Sequence, residues 1–172
     1  VTGAILALDL GTRTGWASWD GTRRESGVQV FDVKRGESPG MRFVRFNRWL
    51  GELLTRPSYG IVGHVPVNHF DLVVYEAAHH RGGAATEVCV GMVTRVLEAC
   101  ALRGIEHASV HSATLKKFAT SNGRASKEEM LKAVNERFCG SLYRGPVSDD
   151  NEADAIALLE YAKAEIVGVE AR

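Results

Sequence analysis

The sequence has no apolar run approaching the roughly 18–20 continuous residues that a membrane-spanning helix needs, so no membrane partner is expected. Its first residues lack the basic segment and extended apolar run of a secretory signal, and the expected location is intracellular. Cysteine is scarce. Cys89, Cys100 and Cys139 are an odd set with no close pair to hold zinc, and Cys89 and Cys100, on one face of an expected helix, read as reduced core residues. Excess charge is also missing: Lys plus Arg and Asp plus Glu each number 21, so the whole-chain balance gives no support to nucleic-acid binding. No repeat, low-complexity tract or coiled-coil pattern is present.

What remains is 172 residues of 45% hydrophobic composition, enough for one core and short for two, which predicts a single domain over residues 1–172. Residues 5–10, 15–19 and 27–33 read as three short strands separated by Gly-Thr-Arg-Thr and Asp20-Gly21 turns, an antiparallel meander. Pro39 opens a helix with Phe43, Phe46, Leu50 and Leu53 at helical spacing, and Pro57 ends it at the latest. Residues 58–69 give no clear pattern. Residues 71–76 form a compact β-branched run suited to a central strand, 84–103 a long helix stopped by Gly104, and 105–110 a further strand. Ser126 and Glu129 have capping-box spacing for a helix from Lys127, and residues 148–152 offer caps for a terminal helix running to about 167. This order predicts an α/β fold: a mixed sheet, antiparallel through its first three strands and parallel on the other side, flanked by helices.

Three carboxylates stand in unusual company. Asp9 ends the first apolar run, Glu76 closes DLVVYE, and Asp154 lies inside DDNEADAIALLEY. A carboxylate at the end of a buried strand is poorly solvated unless positive charge shares the site, so three from distant segments point to a common cation. Glu76 directly follows Val73, Val74 and Tyr75, which favours a ligand role over a structural salt bridge. Asp150 and Asn151 lie four and three positions before Asp154, so either shares a helix face with it at about 5–6 Å between Cβ atoms. Asp149, Asp150 and Glu152 also suit a helix's first turn on dipole grounds alone. In DLGTRTG, Gly11 and Gly15 permit a tight return and close approach of a phosphate to backbone N–H groups, with Thr12 and Thr14 adding hydroxyls and Arg13 a cation. The plain alternative there is a Gly-rich hairpin.

Hard oxygen donors suit Mg²⁺ or Mn²⁺. Two ions about 4 Å apart activate water and neutralise a leaving 3′ oxygen, the arrangement used for phosphodiester hydrolysis. Asp9, Glu76, Asp154, Asp150 and Asn151 are the candidate ligands. Lys127 is placed to complement charge on a phosphorane, and Lys116 to hold a neighbouring phosphate. Lys116, Lys117, Arg124 and Lys127 belong to a locally basic segment that also reads as a solvated helix surface. His79, His80 and Arg81 follow Glu76 in a Gly-containing loop, where they either contact DNA, orient water or stand idle.

Four blocks in order, DLGTRTGWA, VVYEAA, residues 116–127 and NEADAIALL, resemble those of the RuvC-type Holliday junction resolvases of the ribonuclease H-like superfamily, particularly divergent phage and prophage members. The resemblance implies a ribonuclease H-like fold, a homodimer binding four-way DNA junctions, and paired symmetric nicks made with Mg²⁺ or Mn²⁺. It also implies 5′-phosphate and 3′-hydroxyl ends and a setting in the bacterial cytoplasm, nucleoid or an infected cell. It puts the family's basic positions on Lys116 and Lys127. Two departures stand out: the first acid of the terminal pair falls on neutral Asn151, and His79 stands where the family has a junction-stacking aromatic. Three other readings compete. DLGTRTG also resembles the phosphate loop of the actin and sugar-kinase superfamily, for which the chain is short. A ribonuclease H-like nuclease acting on RNA or other branched DNA shares the acids, and a non-catalytic DNA-binding protein with a decayed site accounts for Asn151.

Overall fold

The structure is a computed structural model and describes residues 3–55, 70–78, 82–140, 143 and 145–168. Strands β1 (Ile5–Asp9), β2 (Arg13–Trp19), β3 (Arg24–Val30), β4 (Leu72–Glu76) and β5 (Glu106–Val110) form one sheet in the order β3-β2-β1-β4-β5. The first three strands pair antiparallel, whereas β1–β4 and β4–β5 are parallel, so the mixed sheet read from the sequence is present. Helices α1 (Met41–Leu54), α2 (Ala84–Arg103), α3 (Ser112–Thr120), α4 (Lys127–Val134) and α5 (Asp150–Tyr161) cover it, and α4 and α5 each run on through a π turn, Asn135–Cys139 and Ala162–Ile166. Among the described residues no helix is long and apolar enough to cross a membrane.

The continuous apolar run of β1 follows from burial on both faces. Ile5 and Ala7 point into a core with Leu115 of α3, Met130 and Val134 of α4, and the apolar side of α5. Leu6, Leu8 and Leu10 point the other way, to Phe46 and Leu50 of α1 and to Met92, Val96 and Cys100 of α2. Local signals set the helix ends. Gly104 takes the left-handed conformation (φ 64°) that closes α2, and Ser126 and Glu129 form the reciprocal capping box of α4. Asp149 caps α5 by accepting from the Asn151 and Glu152 amides. All three cysteines are free; Cys100 is buried, its thiol pushed up to about 11 by burial, while Cys89 is half-buried.

Several boundaries differ from the sequence reading: β2 begins at Arg13, inside the expected turn, α1 begins at Met41 after Pro39, and β3 is displaced at both ends. β3 starts at Arg24, because Asp20 Oδ1 accepts from the Thr22 and Arg23 amides and makes the turn tight. It ends at Val30, after which Phe31 turns into the core against Phe46 and Trp49. Helix α3 was not read from the sequence at all. Residues 58–69, for which the sequence gave no pattern, lie outside the described residues.

Gly15 has a different task from the one its motif suggested. A Cβ there would lie 1.8 Å from the Asn151 carbonyl oxygen and 2.3 Å from its carbonyl carbon, so the first turn of α5 rests directly on the β2 backbone. Thr14 is fully buried and its hydroxyl donates to the Gly11 carbonyl at 2.8 Å, which turns it away from any phosphate. The far end of α5 is anchored by a buried ionic cluster: Glu160 accepts from Arg24 at 2.8 Å, Lys163 at 3.1 Å and the Tyr143 hydroxyl at 3.2 Å. The Lys163 ammonium also lies 4.9 Å from the centre of a Trp19 ring.

Gly15→Ala is expected to cost about 3 kcal/mol or more, because backbone atoms must move. Gly11→Ala, whose new methyl meets only the Arg13 carbonyl at 3.5 Å, should change stability by less than about 1 kcal/mol. Urea unfolding of the two variants separates these outcomes, and equal effects would contradict the assignment.

Candidate active site

Strand register brings the acids together. In β1, Asp9 follows Ile5 and Ala7 on the face covered by α5; in β4, Glu76 follows Leu72 and Val74 on that same face. The parallel pairing that matches Ala7 with Val74 and Leu8 with Tyr75 sets Asp9 alongside Glu76 at the carboxyl ends of adjacent strands. Gly15 pairs opposite Asp9, and the first turn of α5 sits on Gly15. One helical turn separates Asp150 from Asp154, so both acids reach the sheet end where Asp9 and Glu76 stand.

Their electrostatics record the crowding. Burial holds Asp9 well above the usual carboxylate range, and the charges of Asp154, Glu76 and Asp150 push it further, with Lys127 opposing. Burial likewise raises Asp154 to about 7, helped by Glu76 and Asp150 and opposed by Lys127 and Lys116. The Lys127 ammonium, carried at the start of α4, donates to Asp150 Oδ2, and this hydrogen bond raises the lysine's own pKa. A cavity of about 300 Å³ opens beside Asp9 and Glu76, lined also by Leu10, Ala77, Gly82, Ala85, Thr86 and Cys89. Burial, then Asp9 and Glu76, push the Cys89 thiol up, which disfavours its thiolate.

The remaining predicted residues divide. Lys116, half-buried on α3, lies close enough for its charge to lower Asp154. Lys117 and Arg124 are exposed, Arg124 in the turn where its amide donates to Asn122 Oδ1. Arg13 is committed to Asp149 Oδ2 at 2.5 Å, which ties the β1–β2 turn to the cap of α5. The Asn151 amide nitrogen donates to Asp149 Oδ1 at 3.0 Å and Asp150 Oδ1 at 3.3 Å. His79, His80 and Arg81 lie outside the described residues. The sequence reading missed Cys89 as a wall of the cleft; its place five residues into a helix that starts beside Glu76 was the available signal.

Among the described residues no group of three or more His, Cys, Asp or Glu side chains stands already arranged to hold a metal ion. The donor set still fits a hard divalent cation. Its acids offer oxygen ligands, and the mutual repulsion that adds to burial in raising Asp9 and Asp154 is what a cation between them would cancel.

No family model and no curated protein sequence matches the chain. Solved structures do. The chain superposes on Thermus thermophilus RuvC in complex with a Holliday junction substrate with a TM-score of 0.70 at 18% identity, covering 96% of this chain and 97% of that one. A second Thermus thermophilus RuvC structure gives 0.68 at 18% identity with the same coverage. The chain therefore has the RuvC fold, a ribonuclease H-like mixed sheet flanked by helices.

A raised carboxylate weakens the fold once it ionises. Below its ordinary value of 3.8 Asp154 is protonated folded and unfolded; above it the folded state keeps the proton, and the stability this confers is lost as pH rises through about 7. Asp154→Asn should accordingly raise Tm at about pH 8 by about 5 °C or more and have little effect near pH 3.5. Mn²⁺ should raise the Tm of the wild type at the higher pH and leave the variant's nearly unchanged. Differential scanning calorimetry across pH checks both, and a pH-independent difference would contradict the site's electrostatics.

Proposed function

We propose that the chain is a metal-dependent, structure-selective DNA endonuclease that resolves four-way junctions by paired symmetric hydrolysis, leaving 5′-phosphate and 3′-hydroxyl ends. The observation that carries this reading is the convergence of Asp9, Glu76 and Asp154, from two strands and a helix, onto one sheet end beside Lys127 and Lys116. The fold shared with a RuvC structure bound to a Holliday junction supports the choice of substrate.

The carboxylates Asp9, Glu76 and Asp154, completed from Asp150 or Asn151, would hold one or two Mg²⁺ or Mn²⁺ ions. When bound, these ions supply activation of water and neutralisation of charge on the phosphodiester. The protein's own groups do the rest. Lys127 and Lys116 add positive charge on the α3–α4 side of the acids, where a negatively charged backbone otherwise meets repulsion. Lys117 and Arg124, exposed on the same hairpin, contact flanking phosphates and give binding its salt dependence. His79, His80 and Arg81 are further candidate contacts to DNA.

Symmetric cutting of two strands needs two such sites, and we infer a homodimer. Val90 and Val93 of α2, only partly buried by the single chain, are available to a two-fold interface. Without the family's aromatic at position 79, selectivity for the junction rests more on the placement of two sites than on stacking at the crossover.

The test is cleavage of a synthetic immobile four-way junction beside linear duplex, Y-fork and RNA–DNA hybrid, with Asp9→Asn as control. Paired symmetric nicks in Mg²⁺ or Mn²⁺ are expected, reduced at least about 10³-fold by the substitution, which corresponds to roughly 4 kcal/mol of barrier. Preferential cutting of the hybrid would assign the chain to RNA, and tight junction binding without cleavage would make it a binding protein.

A further inference from the structure

Two successive residues compete for one place. Alignment of the terminal block with the resolvase pattern points to Asn151, while spacing alone allows Asp150 equally well. The structure separates them.

Asn151 is occupied on both sides. Its backbone carbonyl abuts Gly15, which fixes the residue against β2. Its side-chain nitrogen points toward the neighbouring carboxylates, donating to Asp149 Oδ1 at 3.0 Å and to Asp150 Oδ1 at 3.3 Å. An amide held this way orients Asp150, and its own oxygen, being neutral, is a weaker ligand for a divalent ion than the carboxylate beside it. Asp150 receives that amide on Oδ1 and a cation, the Lys127 ammonium, on Oδ2. Its charge is felt at both Asp9 and Asp154, so the carboxylate faces the same space as the other acids. Lys127 reaches it from the start of another helix with a side chain that is 74% exposed, so the ammonium leaves Asp150 at little cost in packing.

We propose that Asp150 completes the cation site of Asp9, Glu76 and Asp154, that Asn151 is the positioning residue that aims it, and that the Lys127 ammonium occupies Asp150 until a divalent ion displaces it. The proposal rests on the nuclease reading of the site. A divalent ion taken up by this carboxylate repels the ammonium beside it and leaves the oxygen a poorer acceptor, so ion entry releases Lys127 toward an incoming phosphate. Metal loading and the presentation of a positive charge to DNA are thereby coupled through one acid.

Mn²⁺ binding to the full chain without DNA, followed by isothermal titration calorimetry and by electron paramagnetic resonance of free Mn²⁺, tests this. Asp150→Asn should weaken binding by about tenfold or more, or remove one ion, whereas Asn151→Ala should weaken it only about threefold. Lys127→Met should tighten Mn²⁺ binding by about three- to tenfold while lowering junction cleavage, a pair of opposite effects that misfolding cannot produce. Asp9→Asn serves as the reference. If it abolishes Mn²⁺ binding while Asp150→Asn does not, or if Asn151→Ala weakens binding as much as Asp150→Asn, the assignment of Asp150 falls and the nuclease site stands. Weaker binding in Lys127→Met would overturn the displacement. If the wild type binds no Mn²⁺, or Asp9→Asn leaves binding unchanged, the reading of the site fails and the proposal with it.

Discussion

The absence of one side chain governs where the acids are assembled. At Gly15 the backbone of β2 and the first turn of α5 approach so closely that a methyl group would overlap the Asn151 carbonyl. Because Gly15 pairs with Asp9, this contact also fixes the separation between the sheet's central acid and the acids of α5. The buried cluster of Glu160 with Arg24 and Lys163 pins the other end of the helix to β3. Held at both ends, α5 cannot tilt to relieve the repulsion at its N-terminal acids. The fold tolerates that repulsion because two apolar cores, one on each sheet face, supply stability elsewhere.

The resulting cluster of acids costs stability in a way the charges make explicit. Carboxylates gathered at a half-buried sheet end, with Lys127 donating to Asp150, form the arrangement that a divalent cation would complete on the proposed reading. The same surface carries Lys116 on α3 and Lys127 on α4, so the short helices between β5 and α5 contribute charge that the neutral total composition conceals. Local segregation of charge, and not its sum, is what the proposed binding of a polyanion rests on.

Much of this was legible in the sequence because its causes are local. The apolar runs of β1 and β4, the capping box of α4 and the Gly104 stop of α2 are set by neighbouring residues, and each acid was conspicuous for interrupting an apolar pattern. The misses have distant causes. Helix α3 is short, and its C-terminal carbonyls at Phe118 and Ala119 are satisfied by Arg137, beyond the reach of a local capping rule. β3 is an edge strand whose polar residues 24–26 resemble a loop, and Arg24 is held by Glu160, 136 positions away. Gly15 was read for its freedom when its requirement is space, and Asp150 and Asn151 were inseparable because spacings of three and four both fit one helix face.

The most direct measurement is anomalous diffraction from crystals of the chain soaked in Mn²⁺. The account predicts a manganese peak among Asp9, Glu76 and Asp154, with Asp150 turned toward it and Lys127 withdrawn. A map with no peak at that sheet end under saturating Mn²⁺, and with Lys127 still on Asp150, would contradict it.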